Sequence, residues 1–391
     1  MNKKLKLFVS LLVVSVLAFT SCKKDNEPEN PSSSETVYIM GTYNTESFLM
    51  TNGQIHYFTN PDRAKFIALD MAVSDNGDVY IVGEVKPDGD SMLPLSILYK
   101  NNEECSEYTF NAATFCGIAF KDNGDIALAG LYYGQPAVWD GTTRSDLPLV
   151  SRDDIVLWDI SSIEYVNGKE LIVGTYMVNE AEHYIPVVWL DRQLIEVGQM
   201  DNTSTFAFDG AFTSSMDFVL GGINIRHDNA QAFEYSDMQQ IFTEIPYQWE
   251  GSNASMVYGV VNSSKWNDPS RSIYSLVTEY YEHGHIDPIT GRIGSLDSIN
   301  GGFYLVKNGQ VMPETKYKYP KDNTLASVID MSMNSEGEIV LVGTLYDMEY
   351  RNVRPAYWIN GECHIINPDR IGDDGVASRV IVKSTTDNKR K

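Results

Sequence analysis

The sequence predicts an all-β fold, a seven-bladed β-propeller of four-stranded blades, from three observations. A unit of alternating strands and tight turns recurs along the chain. A glycine returns every 42 to 47 residues through the first five units. The C-terminus ends in a strand with no local partner. A repeat of roughly 40–50 residues with four strands is the pattern of propeller blades. Composition agrees: 23 Tyr, 15 Phe and 6 Trp beside 29 Gly favour strands and turns over helices.

The clearest unit runs from Asp330 through Glu336-Gly337 to Val342-Gly343, then from Pro355-Ala356-Tyr357-Trp358 to Asn360-Gly361. A second copy runs from Gly117 through Asn123-Gly124 to Gly130, then Pro136-Ala137-Val138-Trp139 to Gly141. Further copies carry Asn167-Gly168, Gly174 and Trp189, or Asn76-Gly77, Gly83 and Tyr99 in the tryptophan's place. Asn-Gly between alternating runs is the signature of a tight hairpin, because both turn residues need positive φ. Each unit therefore reads as a strand, a turn, a strand ending at the recurrent glycine, a variable loop, a third strand with the aromatic, a second turn, and a fourth strand.

The glycine falls at Gly41, Gly83, Gly130, Gly174, Gly221 and Gly343, with Val277 in its place in the sixth unit. The first unit opens on Val37 to Met40 and lacks an inner strand, whereas Ser378 to Lys383 is an orphan strand at the other end of the chain. Pairing the two closes the first blade and covers two open sheet edges, which are otherwise aggregation liabilities. The propeller then spans 36–384, with a polar tail over 385–391. The Asn-Gly-Asp turn, the Val-Gly strand end and the Pro-Ala-x-Trp-x-Asn-Gly hairpin together resemble the secreted HAF-type propeller-forming repeats and similar repeats of Bacteroidota-type lipoproteins. That resemblance implies a fold and an extracytoplasmic setting, and no activity.

The N-terminus reads as targeting. Lys3, Lys4 and Lys6 precede an apolar run from Leu7 to Phe19, too short to span a membrane comfortably. Phe19-Thr20-Ser21-Cys22 resembles the bacterial lipobox. Residues 1–21 are thus expected to be a lipoprotein signal peptide, with Cys22 lipidated and the protein held by that lipid at an outer membrane or cell surface. Residues 22–35 are polar and contain Pro and Ser, as a flexible tether does. Asp25, Glu27 and Glu29 resemble the acidic patch of surface-exposed Bacteroidota-type lipoproteins. Cys105, Cys116 and Cys363 have no CxxC spacing and are expected to be buried free thiols.

Net charge is −23, and removal of the three leader lysines takes the mature chain to −26. That opposes binding to phosphate backbones, so nucleic acid is excluded as a partner. One position is not explained by strand patterning. Near the start of the inner strands stand Asp70, Gly117, Asp159, Asp209, Gly259, Asp330 and Ser378. Asp is depleted in strands. Converging on a channel mouth, the four carboxylates would suit a cation such as calcium; alternatively each accepts N–H groups of the neighbouring blade and locks the ring. The recurrence of the position with the repeat favours the lock.

His283, His285 and Asp287 lie in a long insertion placed at Glu279 to Asn300 and are weak zinc-ligand candidates, with no third or fourth ligand set by spacing. Trp139, Trp189, Trp358, Tyr99 and Tyr235 recur on the third strand, where packing between blades explains them better than sugar binding. Asp90-Ser91-Met92 and Asp297-Ser298-Ile299 resemble a short O-glycosylation motif. No nucleophile elbow, phosphate-binding loop, dinucleotide fingerprint or zinc-protease helix is present. The reading is a monomeric, non-catalytic binding protein for a protein or glycan partner, without a required cofactor. The alternative is a hydrolase or lyase acting on glycans, with Asp159 and Asp209 as acid and base.

Overall fold

The computed structural model describes residues 35–384 except 45, 59–64, 86–93, 179–182, 199–202, 227–228, 250–251, 253, 263–271, 281–300, 320–323, 335–336, 348–351 and 371–372. Its strands form antiparallel units of four, each running from an inner to an outer strand. Blade 1 is Gly375–Ser384, Glu35–Tyr43, Glu46–Thr51 and Gln54–Tyr57. The inner strands of blades 2 to 7 are Phe66–Val73, Ala113–Phe120, Ile155–Val166, Ser204–Phe212, Ala254–Asn262 and Thr324–Met333. Each packs against the next; that of blade 7 packs against Gly375–Ser384, which in turn packs against Phe66–Val73. The seven units so close into a β-propeller. A single bridge, Ala230 to Ala254, also joins blades 5 and 6.

The C-terminal strand completes blade 1 as its innermost member, with Val37 opposite Val382 and Ile39 opposite Val380. The turns explain the recurrent Asn. Asn52, Asn101, Asn308 and Asn360 all have positive φ, which Asn tolerates better than most residues. The side-chain oxygens of Asn52, Asn101 and Asn308 also accept the N–H of Val37, Val79 and Ile273 at the start of the second strand. Asp191 does the same for Glu170 in blade 4.

The recurrent glycine has a steric cause. Every inner strand carries a β-bulge beside it, so that one extra residue bends the strand. The carbonyl two residues before the bulge then leans onto the second strand. A Cβ on Gly41, Gly83, Gly130, Gly174, Gly222 or Gly343 would collide with the oxygen of Val376, Ile67, Thr114, Asp159, Phe206 or Ser327. In blade 5 the equivalent residue is therefore Gly222, opposite Ala207, and the assignment to Gly221 is one residue short.

The core lies between blades. Trp139, Trp189 and Trp358 are fully buried, and Tyr99 and Tyr235 nearly so. Trp358 packs edge-on against Phe303 of blade 6, and Trp189 against Trp158 of its own blade. These rings are packing elements, closed to any sugar. Two expectations need correction. Cys105, Cys116 and Cys363 form no disulfide but are only partly buried. Glu279 belongs to the strand Ile273–Tyr280 of blade 6 and is fully buried, accepting N–H groups of Gln248 and Trp249; the insertion begins after it.

Candidate functional site

An innermost strand is a sheet edge whose outward N–H groups lack ladder partners. The residue just past each bulge meets this need. Around the ring these residues are Arg379, Asp70, Gly117, Ser162, Asp209, Gly259 and Asp330 for blades 1 to 7. Asp70 Oδ2 accepts Ile118 N–H of blade 3 at 2.9 Å. Asp209 Oδ2 accepts Val260 N–H of blade 6 at 2.9 Å, and Asp330 Oδ2 accepts Val380 N–H of blade 1 at 2.8 Å. Each donor is the residue one past the ring position of the next blade. Asp209 also takes the N–H of its own neighbour Gly210.

The spacing of the aspartates follows from this. Blades 2, 5 and 7 supply the carboxylate, and blades 3, 6 and 1 receive it. Gly259, between two such blades, faces both carboxylates: a Cβ there would make ordinary contact with the Asp209 and Asp330 oxygens, at 4.0 and 3.9 Å. Seven is odd, so blade 4 is left over, with Ser162 at its ring position. The Ser162 hydroxyl has no partner among the described residues. One turn of pleat further on, Glu164 accepts Phe212 N–H of blade 5 and Ser332 accepts Val382 N–H of blade 1.

Arg379 balances the charge. Its Nε donates to Asp70 Oδ1 at 2.8 Å, and the fields of Asp70, Asp330 and Asp209 hold its pKa above the ordinary value against desolvation. Burial, reinforced by Asp209, pushes the Asp330 carboxyl up to about 6, against the pull of Arg379 and the backbone donors. These carboxylates are thus committed to backbone donors and to one guanidinium. That arrangement fastens blades; no cluster of three metal-ligating side chains occurs among the described residues.

Two assignments from sequence are corrected here. Ser378 is the bulged residue of blade 1, and Arg379 holds the ring position. Asp159 is not in the ring either: it stands three residues before Ser162. It lies instead in a pocket of about 200 Å³ with Leu131, Leu157, Trp158, Thr175, Met177, Tyr184 and Phe206. This pocket opens at the end of the ring where inner strands begin. Asp159 is exposed by accessible surface, yet protein mass behind it removes much of its water, and this desolvation pushes its carboxyl up to about 6. Asp159 thus faces the pocket, whereas Asp209 holds Val260 and Gly210. The proposed lipidation residue Cys22, the triad His283, His285 and Asp287, and both serine motifs lie outside the described residues.

No family matches the sequence, and no curated protein is similar to it. Among solved structures the chain is similar to an ulvan lyase, with 10% identity over 90% of this chain and 92% of that one and a TM-score of 0.49. It is also similar to a protein of unknown function from Bacteroides caccae, at 8% identity, 73% and 94% coverage and a TM-score of 0.41. TolB from Acinetobacter baumannii is similar at 10% identity, 74% and 64% coverage and a TM-score of 0.39. At such identities the likeness concerns fold alone, and this group holds enzymes and non-enzymes together.

Proposed function

We propose that the chain is a lipid-anchored extracytoplasmic propeller, of the HAF-like lipoprotein type, that binds a protein or glycan partner without catalysis. One observation carries the non-catalytic reading: Asp70, Asp209 and Asp330 spend oxygens on blade-to-blade bonds, and among the described residues that line its pocket Asp159 is the one carboxylate. Glycoside cleavage by paired acids needs two, about 5–9.5 Å apart. The binding face is the end of the ring where inner strands begin. Second strands also end, and third strands begin, at that end of the ring. The anchor follows from the lysine-rich leader and Cys22.

The test incubates the detergent-solubilised full-length protein with a panel of neutral and acidic polysaccharides. The expected result is retention on some glycan or protein matrix with no new reducing ends and no unsaturated uronates. Release of either product sinks the non-catalytic reading. For the anchor, mass spectrometry of the wild type should find a lipidated N-terminal Cys22, and Cys22→Ala should lack it.

A further inference from the structure

The pocket around Asp159 is built unlike the rest of the channel. Among the described residues its carboxylate has no cationic partner: desolvation and the N–H of Ile160 are the influences upon it. Arg152 at the same rim is already taken by Asp154, through two bonds of 2.9 and 2.7 Å. Three aromatic side chains, Trp158, Tyr184 and Phe206, share the pocket with the carboxylate. The Tyr184 and Phe206 rings lie against each other with centroids 4.0 Å apart and planes tilted by 33°, and Trp158 is held by Tyr176 and Trp189 at 5.4 and 6.0 Å. Such faces attract cations through their quadrupoles. The same rim carries four of the six large apolar side chains that are exposed among the described residues: Tyr133, Leu149, Val156 and Leu157.

An unpaired carboxylate backed by aromatic faces and apolar walls suits one chemistry. We propose that this pocket binds a protonated amine on an aromatic or aliphatic stem, with Asp159 as its counter-ion and Trp158, Tyr184 and Phe206 around its stem. A hydrated metal ion does not fit, because one carboxylate among apolar walls offers too few oxygens. An anion is repelled by Asp159. The same chemistry is presented by a free small amine or by a lysine side chain of a partner. The proposal rests on the binding reading above only in treating the site as a binding site.

The test uses the full-length protein in detergent and two probe pairs followed by saturation-transfer NMR and calorimetry. Phenethylamine is compared with 2-phenylethanol, its neutral analogue; the methylamide of Nα-acetyl-lysine is compared with that of Nα-acetyl-norleucine. The amine of at least one pair should bind about tenfold tighter than its neutral analogue, the scale of one partly exposed ion pair plus one cation–π contact. Preference for phenethylamine alone assigns a free amine; preference in both pairs assigns a lysine. Asp159→Asn, isosteric and exposed, should melt like the wild type and lose the preference. Leu157→Arg, which places a cation in the pocket, should abolish binding of both amines. No preference in the wild type, or a preference that survives Asp159→Asn, overturns the proposal. Neither outcome bears on the release of sugar products, which tests the non-catalytic reading separately.

Discussion

Replacing Asp330 by Ala tests whether the ring aspartates hold the propeller closed. Asp330 Oδ2 takes the N–H of Val380, in a residue only 3% exposed, and a second backbone bond runs from Met331. Truncation leaves both donors without acceptors in a region that water reaches poorly. An unsatisfied buried donor costs about 1–3 kcal/mol, so two would cost about 2–6. Relief of the strained carboxylate and of its repulsion with Asp209 offsets part of this, which brings the expected loss to about 2–4 kcal/mol. With an unfolding entropy of roughly 2.1 cal/mol/K per residue, that lowers Tm by about 3–5 °C for a domain of this size. Asp330→Asn keeps one acceptor oxygen and should lose less. Urea denaturation and thermal melts, each with and without calcium, make the measurement. Calcium should leave every variant unmoved. A neutral Asp330→Ala would refute the locking argument. So would a calcium-dependent rise in the wild-type Tm that Asp70→Asn/Asp330→Asn removes.

Gly343→Ala should be more damaging than Gly124→Ala. The first puts a methyl into the Ser327 carbonyl and should cost more than about 3 kcal/mol, whereas the second adds only the strain of φ +85 at an open turn, about 1–2 kcal/mol; chemical denaturation ranks them. Deleting residues 377–391 removes most of the inner strand of blade 1 and should give aggregation or a broad melt, and a cooperative melt at the wild-type temperature would mean that this strand does not close the ring. Asp330 has a folded pKa of about 6 against 3.8 for the free side chain. The folded state therefore holds more protons than the unfolded one between about pH 4 and 6, and this group's contribution to stability falls as pH rises through that window. The wild type minus Asp330→Asn difference, followed by denaturation from pH 4 to 7, should show that decline; a flat or rising difference contradicts it.

The repeat, its hairpins and the closing strand were legible in the sequence because their causes are local. Asn-Gly at a turn answers a demand for positive φ, whatever surrounds it, and Asn52 or Asn308 does so with its own side-chain bond. The recurrent glycine was legible as a mark, and correctly placed in every blade but the fifth. There two adjacent glycines, Gly221 and Gly222, satisfied the pattern equally. A spacing of 13 residues from Asp209 points to Gly222, the same spacing that links Asp70 to Gly83 and Asp330 to Gly343.

The ring itself was only half legible. Asp70, Asp209 and Asp330 stood out as carboxylates in strands, but a bulge adds a residue without any mark in the sequence. The sequence alignment therefore placed Ser378 where Arg379 belongs, and in blade 4, where it held only with gaps, it placed Asp159 where Ser162 belongs. By itself the sequence determined which segments become strands, how they turn and which strand closes the circle, because backbone conformation and strand alternation act over a few residues. Only the tertiary structure decided which carboxylates are spent and which is left open. That depends on bonds between residues about 50 positions apart, from Asp209 to Val260 and from Asp330 to Val380, and on a guanidinium that reaches Asp70 from the far end of the chain.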